Sequence, residues 1–400
     1  MKISVYMETL AYKYGGAESY TASLIEALQS LFPASLIVLI TEHLRNYPLV
    51  STEKLIEMQN SAYGTSIKKE NFSVSYFNFE KIDENSARNK FSRLFRIIKK
   101  EINAIKRFKS IMRLSEGSDL FINASFKIVA GKAKKSICTV YFPYKPCTTS
   151  GINKRLRIFR YFAQKRDSAY KNSYDYYFPI SEFTKENLKK YWLIPETKLK
   201  LIYPPVKPIS LKAEKNHSQI LLCSRICRDK KIDFLLQAYE NSSYLKQNAS
   251  LVVAGSAIGE DESFMEKLQA ISPSTKFVID PKRNELEKLY AESGIFWHAK
   301  GFGEENPFEF EHFGITTVEA MSAGCVPVVI NKGGQKEIVA EGSGFRWNTL
   351  EELAERTEWL IRNPEEADKI RTNSIERSKA FTSGNFRSDI NKNLSEVLYA

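Results

Sequence analysis

Short, continuous apolar runs recur along the chain at intervals wide enough to hold one helix each, and this alternation restricts the fold more than any other feature. In the first half the runs are "KISVYM", "SLIVLI", "DLFINAS", "SICTVYF", "DYYFPIS" and "KLKLIYPP". After a break come "QILLCSRI", "SLVVAGS", "TKFVID", "GIFWHA", "VPVVI" and "GFRW". Strands apolar on both faces and separated by helices belong in parallel sheets covered on both sides, so the expected class is α/β. The break is "YPPVKPISLKAEKNHSQ", residues 203 to 219, with three prolines that stiffen the chain and donate nothing to a ladder. With 400 residues, the chain also exceeds what one core usually serves. Two doubly wound domains are therefore predicted, divided near residue 210. Residues 42 to 115 are less regular and harder to place, and no internal repeat or low-complexity tract is present.

Composition narrows the function classes. Hydrophobic residues make up 43% and aromatic residues 12% of the chain, which excludes disorder. The five cysteines, Cys138, Cys147, Cys223, Cys227 and Cys325, form no Cys-x-x-Cys and leave an odd count, as expected of reduced thiols in the cytoplasm. Four histidines, His43, His217, His298 and His312, offer little to a zinc cage. The opening "MKISVYMETLAYKYGG" lacks the apolar core of a secretion signal, and no run approaches a membrane span. The expected location is cytoplasmic, with a peripheral membrane association left open by the charge.

The formal charge is +12, unevenly placed. Residues 88 to 113, "RNKFSRLFRIIKKEINAIKRFKSIMR", hold ten Lys/Arg against one Glu. Phe91, Leu94, Phe95, Ile98, Ile102, Ile105 and Met112 recur at threes and fours, predicting a helix with one apolar and one basic face. "NKRLRIFRYFAQKR", residues 153 to 166, is similar. One reading docks each apolar face on the domain and solvates the charges. Another is attraction to an anionic membrane or a phosphate-bearing acceptor. Nucleic acid is disfavoured because no binding motif accompanies the charge.

Ligands of doubly wound sheets collect where loops leave the carboxyl ends of strands. After the first strand, Gly15 and Gly16 of "YKYGGAESY" precede a helix, where backbone can approach a ligand and the helix start attracts anions. A plain tight turn explains the pair equally well. Neither GxGxxG nor GxxxxGK[ST] occurs. After the first strand of the second half, "CSRICRDKKIDFLLQAYE" places Arg225, Arg228, Lys230 and Lys231 at a strand exit, suited to neutralising a diphosphate. The strongest signal is "EHFGITTVEAMSAGCVPVV", residues 311 to 329. The N–H groups of Phe313, Gly314 and Ile315, with the Thr316 and Thr317 hydroxyls, would hold a phosphate at a helix start. Glu319, one turn further in, would accept the hydroxyls of a ribose, and Glu311 would point at a sugar. Helix capping alone would explain Glu319 but not Glu311. The next strand is followed by Gly333 and Gly334, another loop on the same edge.

At these residues the chain resembles the retaining, GT-B-fold glycosyltransferases of family 4 type, whose signature is Glu, seven residues, then Glu, here Glu311 to Glu319 enclosing Phe-Gly-Ile. The resemblance extends over "YGGAE", "YFPYKP" at 141 to 146, "FPISEFTKENL", "LIYPPV", "SRICRDKKID" and "GGQKEIV". Residues 298 to 319 resemble the mannosyltransferases of lipid-linked oligosaccharide and polysaccharide synthesis, where "EHFGI" recurs. The resemblance implies two Rossmann-like domains facing across a cleft: an acceptor-binding domain at 1–207, a nucleotide-sugar-binding domain at 208–380, and a final helix at 381–400 packing back on the first. It implies catalytic roles for Glu311, Arg225 and Lys230. It implies donor contacts from Gly15, Gly16, Phe313, Gly314, Ile315, Thr316, Thr317, Glu319, Gly333, Gly334 and His298, the last equally readable as a packed strand-end residue. Acceptor contacts would come from Tyr141, which stands where many relatives carry a histidine, and from Tyr144.

The expected activity is retaining transfer of mannose or a related hexose from a GDP- or UDP-linked donor to a saccharide or lipid-linked acceptor. The nucleotide sugar is a substrate, and no cofactor is expected. No Asp-x-Asp occurs, so leaving-group stabilisation falls to Arg225, Lys230 and the helix start without a metal. Three readings compete: a sugar-nucleotide epimerase of the same fold, a phosphorylase, which the short chain and the lack of an evident cofactor lysine disfavour, and a non-catalytic basic protein binding membrane or nucleic acid.

Overall fold

The computed structural model describes residues 1–12, 15–44, 47–79, 90–143, 161, 165–166, 168–257 and 262–399. Tyr144, Cys147 and most of the 153–166 basic segment lie outside the described residues. The chain forms two compact units. One comprises Met1–Ile180, Thr184–Ile202 and Arg387–Ala400; the other comprises Ser181–Phe183 and Tyr203–Phe386. The break falls at the start of the predicted proline-rich connection, and the last fourteen residues group with the first unit, where Lys200 pairs with Glu396.

The first unit carries β1 (Lys2–Tyr6), β2 (Leu36–Leu44), β3 (Phe72–Phe79), β4 (Ser118–Asn123), β5 (Ala133–Val140) and β6 (Tyr176–Pro179). They pair in parallel in the order β3-β2-β1-β4-β5-β6. The second unit carries β7 (Asn216–Cys223), β8 (Ser250–Gly255), β9 (Lys276–Ile279), β10 (Ser293–His298), β11 (Val326–Ile330) and β12 (Phe345–Trp347), in the order β12-β11-β10-β7-β8-β9, again all parallel. Both sheets are thus wound outward in two directions from a central pair, β1 with β4 and β7 with β10. Loops leaving the carboxyl ends of each central pair diverge there and leave a crevice. The central strands are sealed on both faces: every residue of β10 and of β11 is buried. That is the setting in which unbroken apolar runs are stable.

Two sequence assignments change. "KLKLIYPP" does not join the sheet as a strand; Lys200 and Ile202 donate only to the Tyr177 and Pro179 carbonyls at the edge of β6 before Pro204 and Pro205 end the pairing. The irregular 42–115 region instead adds a strand, β3, to which no apolar run is assigned, while the helix predicted at 88 to 113 forms over Lys90–Leu114.

That helix also corrects the expected facing. Asn103 and Ile111 are buried, and Arg107 reaches inward to Glu42, whereas Ile102 and Ile105 are 46% and 48% exposed. A buried charge selects this phase. Arg107 Nε lies 2.5 Å from Glu42 Oε1, with side chains 11% and 4% exposed. The Tyr6 hydroxyl donates to the same oxygen at 3.0 Å, and Lys127 Nζ stands 3.6 Å from it and 3.8 Å from Glu8. A carboxylate taken this far from water needs such donors, and removing one leaves a charge uncompensated.

Arg107→Ala is therefore expected to destabilise the first unit by about 3 kcal/mol, the lower end for a broken buried pair because Lys127 remains. Urea unfolding would measure this, and the Arg107→Met/Glu42→Gln double variant should recover part of the loss. Equal stability of Arg107→Ala and wild type would remove the ion pair as the anchor of the helix.

Candidate functional site

The carboxyl ends of β7 and β10 lie at the switch point of the second sheet, and each feeds a charged loop. After β7 the chain makes a single turn at Arg228–Lys230, and Lys231 adopts the left-handed conformation, with φ 57°, at the entry to the helix Ile232–Asn241. That turn drops Lys230 inward, its side chain 14% exposed, while Lys231 pairs with Glu304 at 2.6 Å. After β10 a long loop returns through the turn Pro307–Glu309 to Glu311. The two loops meet where Lys230 Nζ lies 2.7 Å from Glu311 Oε2.

His298, the last residue of β10, stands on the other side of the same oxygen, with Nε2 at 3.3 Å. Burial lowers the His298 pKa, favouring the neutral ring; because a carboxylate oxygen can only accept, Nε2 carries the proton. Its Nδ1 is buried without a hydrogen-bond partner among the described residues. Burial by itself would raise the Glu311 pKa, but Lys230 and the His298 N–H outweigh it and hold the carboxyl well below its usual range. Lys230 is raised for the reciprocal reason: burial opposes its charge and Glu311 overrules that. His298 is thus both a packed strand-end residue and a neighbour of Glu311.

The main chain of Glu311 is fixed as well. The Gly334 N–H donates to the Glu311 carbonyl at 2.8 Å. Gly333 has φ 60°, and a Cβ there would come within 2.2 Å of that carbonyl oxygen, so the loop after β11 requires glycine at this position. Gly314, with φ 127°, caps the helix Ile315–Ser322; a Cβ on it would meet the Gln335 amide nitrogen at 2.3 Å.

Glu319 is buried within that helix and does not cap it. Its Oε1 accepts from Arg283 Nη1 at 2.7 Å and its Oε2 from the Tyr290 hydroxyl at 3.1 Å. Arg283 and Tyr290 sit on the helix Arg283–Glu292, which follows β9, so a fourth connection of the same sheet edge reaches the site. Neither was found from sequence. "PKRNELEKLYAE" reads as an ordinary solvated helix, and only the fold brings it beside Glu319. Gln335 was likewise unrecognised: its carbonyl oxygen accepts from the Thr317 hydroxyl at 3.0 Å, while its amide nitrogen is buried without a partner among the described residues.

The expected residues therefore divide. Lys230, His298, Glu311, Gly333 and Gly334 are directly linked, and Phe313, Gly314, Ile315, Thr316 and Glu319 continue from them along the chain. Thr317 is fully buried, and its hydroxyl donates to Gln335 at 3.0 Å. Arg225 is exposed and only 4.0 Å from Asp229, outside the Lys230–Glu311 contact. Gly15 and Gly16 belong to the first unit, at the start of the helix Gly16–Leu31; Gly15 is fully extended at φ −178° and donates to the Tyr63 hydroxyl at 2.9 Å. Tyr141 is 8% exposed, and its hydroxyl is shared between the carbonyls of Ala124 at 2.9 Å and Ala17 at 3.2 Å. Among the described residues no group of three or more His, Cys, Asp or Glu is arranged to hold a metal ion.

Residues 207–377 match the family model described as Glycosyl transferases group 1. The GDP-Man:Man(3)GlcNAc(2)-PP-Dol alpha-1,2-mannosyltransferase of Dictyostelium discoideum is 26% identical over 196 residues, covering 47% of this chain and 36% of that relative's own length. Two solved structures resemble the whole chain. HepE of Anabaena in complex with UDP-glucose has a TM-score of 0.64 at 16% identity, covering 99% of this chain and 100% of that one. TarM has a TM-score of 0.69 at 11% identity, covering 100% and 99%. The likeness shows the fold, GT-B with two Rossmann-like domains.

The two histidines give the second unit a pH dependence with a fixed sign. Burial lowers His298 from 6.5 and lowers His312 to about 4. The unfolded chain binds these protons more readily, so full stability stands above about pH 6.5 and is lost as pH falls toward about 4. Urea midpoints for the second unit should decline across that window, and His312→Gln should flatten the decline. An unchanged slope in the variant would contradict the assignment.

Proposed function

Proceeding from a chain that carries a Glycosyl transferases group 1 domain on a GT-B fold, we propose that it transfers a hexose, mannose or a close relative, from a nucleoside diphosphate sugar to a saccharide or lipid-linked acceptor with retention at the anomeric carbon. The observation that carries this reading is the contact of Lys230 with Glu311, a cation and a carboxylate only 14% and 20% exposed, side by side at the carboxyl ends of β7 and β10. A diphosphate needs the cation and a sugar hydroxyl needs the carboxylate.

In this reading the helix Ile315–Ser322 directs its first N–H groups at the diphosphate, Lys230 neutralises the charge that builds on it, and Arg225 swings in from solvent to add a second cation. Glu311, ionised and held by His298, accepts from donor-sugar hydroxyls. Glu319, oriented by Arg283 and Tyr290, accepts from the ribose diol. As the bond from the anomeric carbon to the leaving phosphate oxygen breaks, the acceptor oxygen bonds that carbon on the same face and its proton passes to the departing diphosphate. No divalent cation is assigned a part, and turnover should survive EDTA. The base is left to experiment, because the relatives divide: one is named for GDP-mannose and another is solved with UDP-glucose.

Lys230→Ala should lower turnover on the order of 10²-fold or more, the effect of removing one converging donor to developing charge. Glu319→Ala should abolish the rise in thermal midpoint that one of UDP, GDP, ADP or CMP at about 1 mM gives the wild type, since a ligand at a hundred times its Kd stabilises by about 2.7 kcal/mol. A wild type unmoved by all four nucleotides would remove the donor-site reading, and wild-type turnover by Lys230→Ala would remove the role given to that lysine.

A further inference from the structure

The helix Lys90–Leu114 has a face that the described residues of the first unit leave exposed. At about 100° per residue, Ile102, Ile105, Lys106, Lys109 and Arg113 fall within an arc of roughly 100°. Asn103, Arg107 and Ile111 occupy the opposite side and face the unit, Arg107 through Glu42 and Ile111 completely buried. The outward arc therefore combines two isoleucines, 46% and 48% exposed, with three cations. Lys106, Lys109 and Arg113 form no ion pair among the described residues, although a paired arrangement is available on this helix: Glu101 takes Arg166.

This combination is unfavourable in water. A solvated helix face keeps its apolar residues inward and its lysines outward, and the apolar positions at threes and fours in this segment permit that arrangement. At Ile102 and Ile105 the fold departs from it, because the buried Glu42 demands Arg107 and fixes the phase of the helix, with Ile111 still inward. Isolated exposed apolar residues are ordinary. Two side by side within a stripe of unpaired cations are the composition of a surface that lies in the headgroup region of an anionic bilayer, isoleucines entering the acyl boundary and lysines among the phosphates. The lysine stems are long enough to follow the isoleucines down while their ammonium groups stay at the headgroups.

We infer that the Ile102–Arg113 face of this helix docks the protein on an anionic lipid surface. A second copy of the chain would have to bring acidic residues to meet the cations, and a nucleic acid would leave the two isoleucines without a function. The inference stands on the first unit alone and is independent of the donor site.

The test is cosedimentation of the full chain with phosphatidylcholine vesicles, neutral or containing about one-third phosphatidylglycerol, at low salt and at about 0.5 M NaCl. Binding is expected to the anionic vesicles only and to weaken with salt. Lys106→Ala and Lys109→Ala should each weaken it roughly fivefold, the value of one lysine near an anionic surface. Ile102→Ala/Ile105→Ala should weaken it roughly tenfold through lost apolar burial, with the thermal midpoint held within about 2 °C because both side chains are exposed. Wild type remaining in the supernatant would overturn the inference, as would equal binding to neutral vesicles. If the lysine variants weaken binding and the isoleucine variant does not, the face is a general anion-binding surface and the lipid assignment fails. Concentration-dependent dimerisation abolished by Ile102→Ala/Ile105→Ala, without vesicle binding, would make it a self-interface.

Discussion

A lysine and a glutamate at the carboxyl end of a buried parallel sheet would each be driven toward neutrality if alone, and the second unit depends on their meeting. Lys230 comes from the loop after β7 and Glu311 from the loop after β10, and at 2.7 Å each keeps the other charged. Such a pair is weak evidence for stability, because desolvation consumes most of its Coulomb attraction. Its effect is geometric. Once Lys230 holds the Glu311 carboxylate and Gly334 holds the Glu311 carbonyl, the loops after β7, β10 and β11 have one mutual arrangement. His298 completes it by approaching the same oxygen from the strand end, where its ring cannot turn away without burying a second unpaired nitrogen.

The second carboxylate answers a different physical demand. Acidic residues near helix starts commonly neutralise unpaired N–H groups. Glu319 lies a full turn inside the helix Ile315–Ser322, and both of its oxygens go to side chains of another helix. The start of the helix, behind Gly314, is consequently not neutralised by this acid. An anion-attracting terminus and a fixed carboxylate coexist a turn apart because Arg283 and Tyr290 draw the carboxylate sideways. In the donor-site reading proposed above, these two features would meet the phosphate and the ribose diol of one nucleotide.

Much of this was legible in the sequence, and the limits are specific. All six strands of the second sheet were read from apolar runs, because strands buried on both faces leave an unbroken signature. The loops bearing Lys230, Glu311 and Gly333 were placed correctly at strand exits for the same reason. Arg283, Tyr290 and Gln335 were missed because nothing local distinguishes them; each matters through a contact with a residue 18 to 36 positions away. The contacts of the Thr317 hydroxyl with Gln335 and of the Tyr141 hydroxyl with the carbonyls of Ala17 and Ala124 were not legible, since each partner comes from a distant segment. "KLKLIYPP" looked like a strand because periodicity cannot tell an edge segment with two hydrogen bonds from a full member of the sheet.

The helix Lys90–Leu114 marks a deeper limit. Hydrophobic periodicity establishes that a segment is amphipathic, and the step from there to which face is buried assumes that burial follows apolarity. Here one charged contact overrides the assumption at Ile102 and Ile105. Glu42 lies in the interior, its oxygen already engaged by Tyr6, and an arginine on the helix is the group able to reach it with a directed donor. Leaving Glu42 without that donor would be far more unfavourable than leaving two isoleucines half in water, so the phase that satisfies the carboxylate prevails. The sequence carries both preferences, but their relative weight depends on the depth of Glu42, which the strand pairing of β1, β2 and β3 sets. The exposed isoleucines follow from an interior constraint, and that constraint holds whether or not any partner covers them.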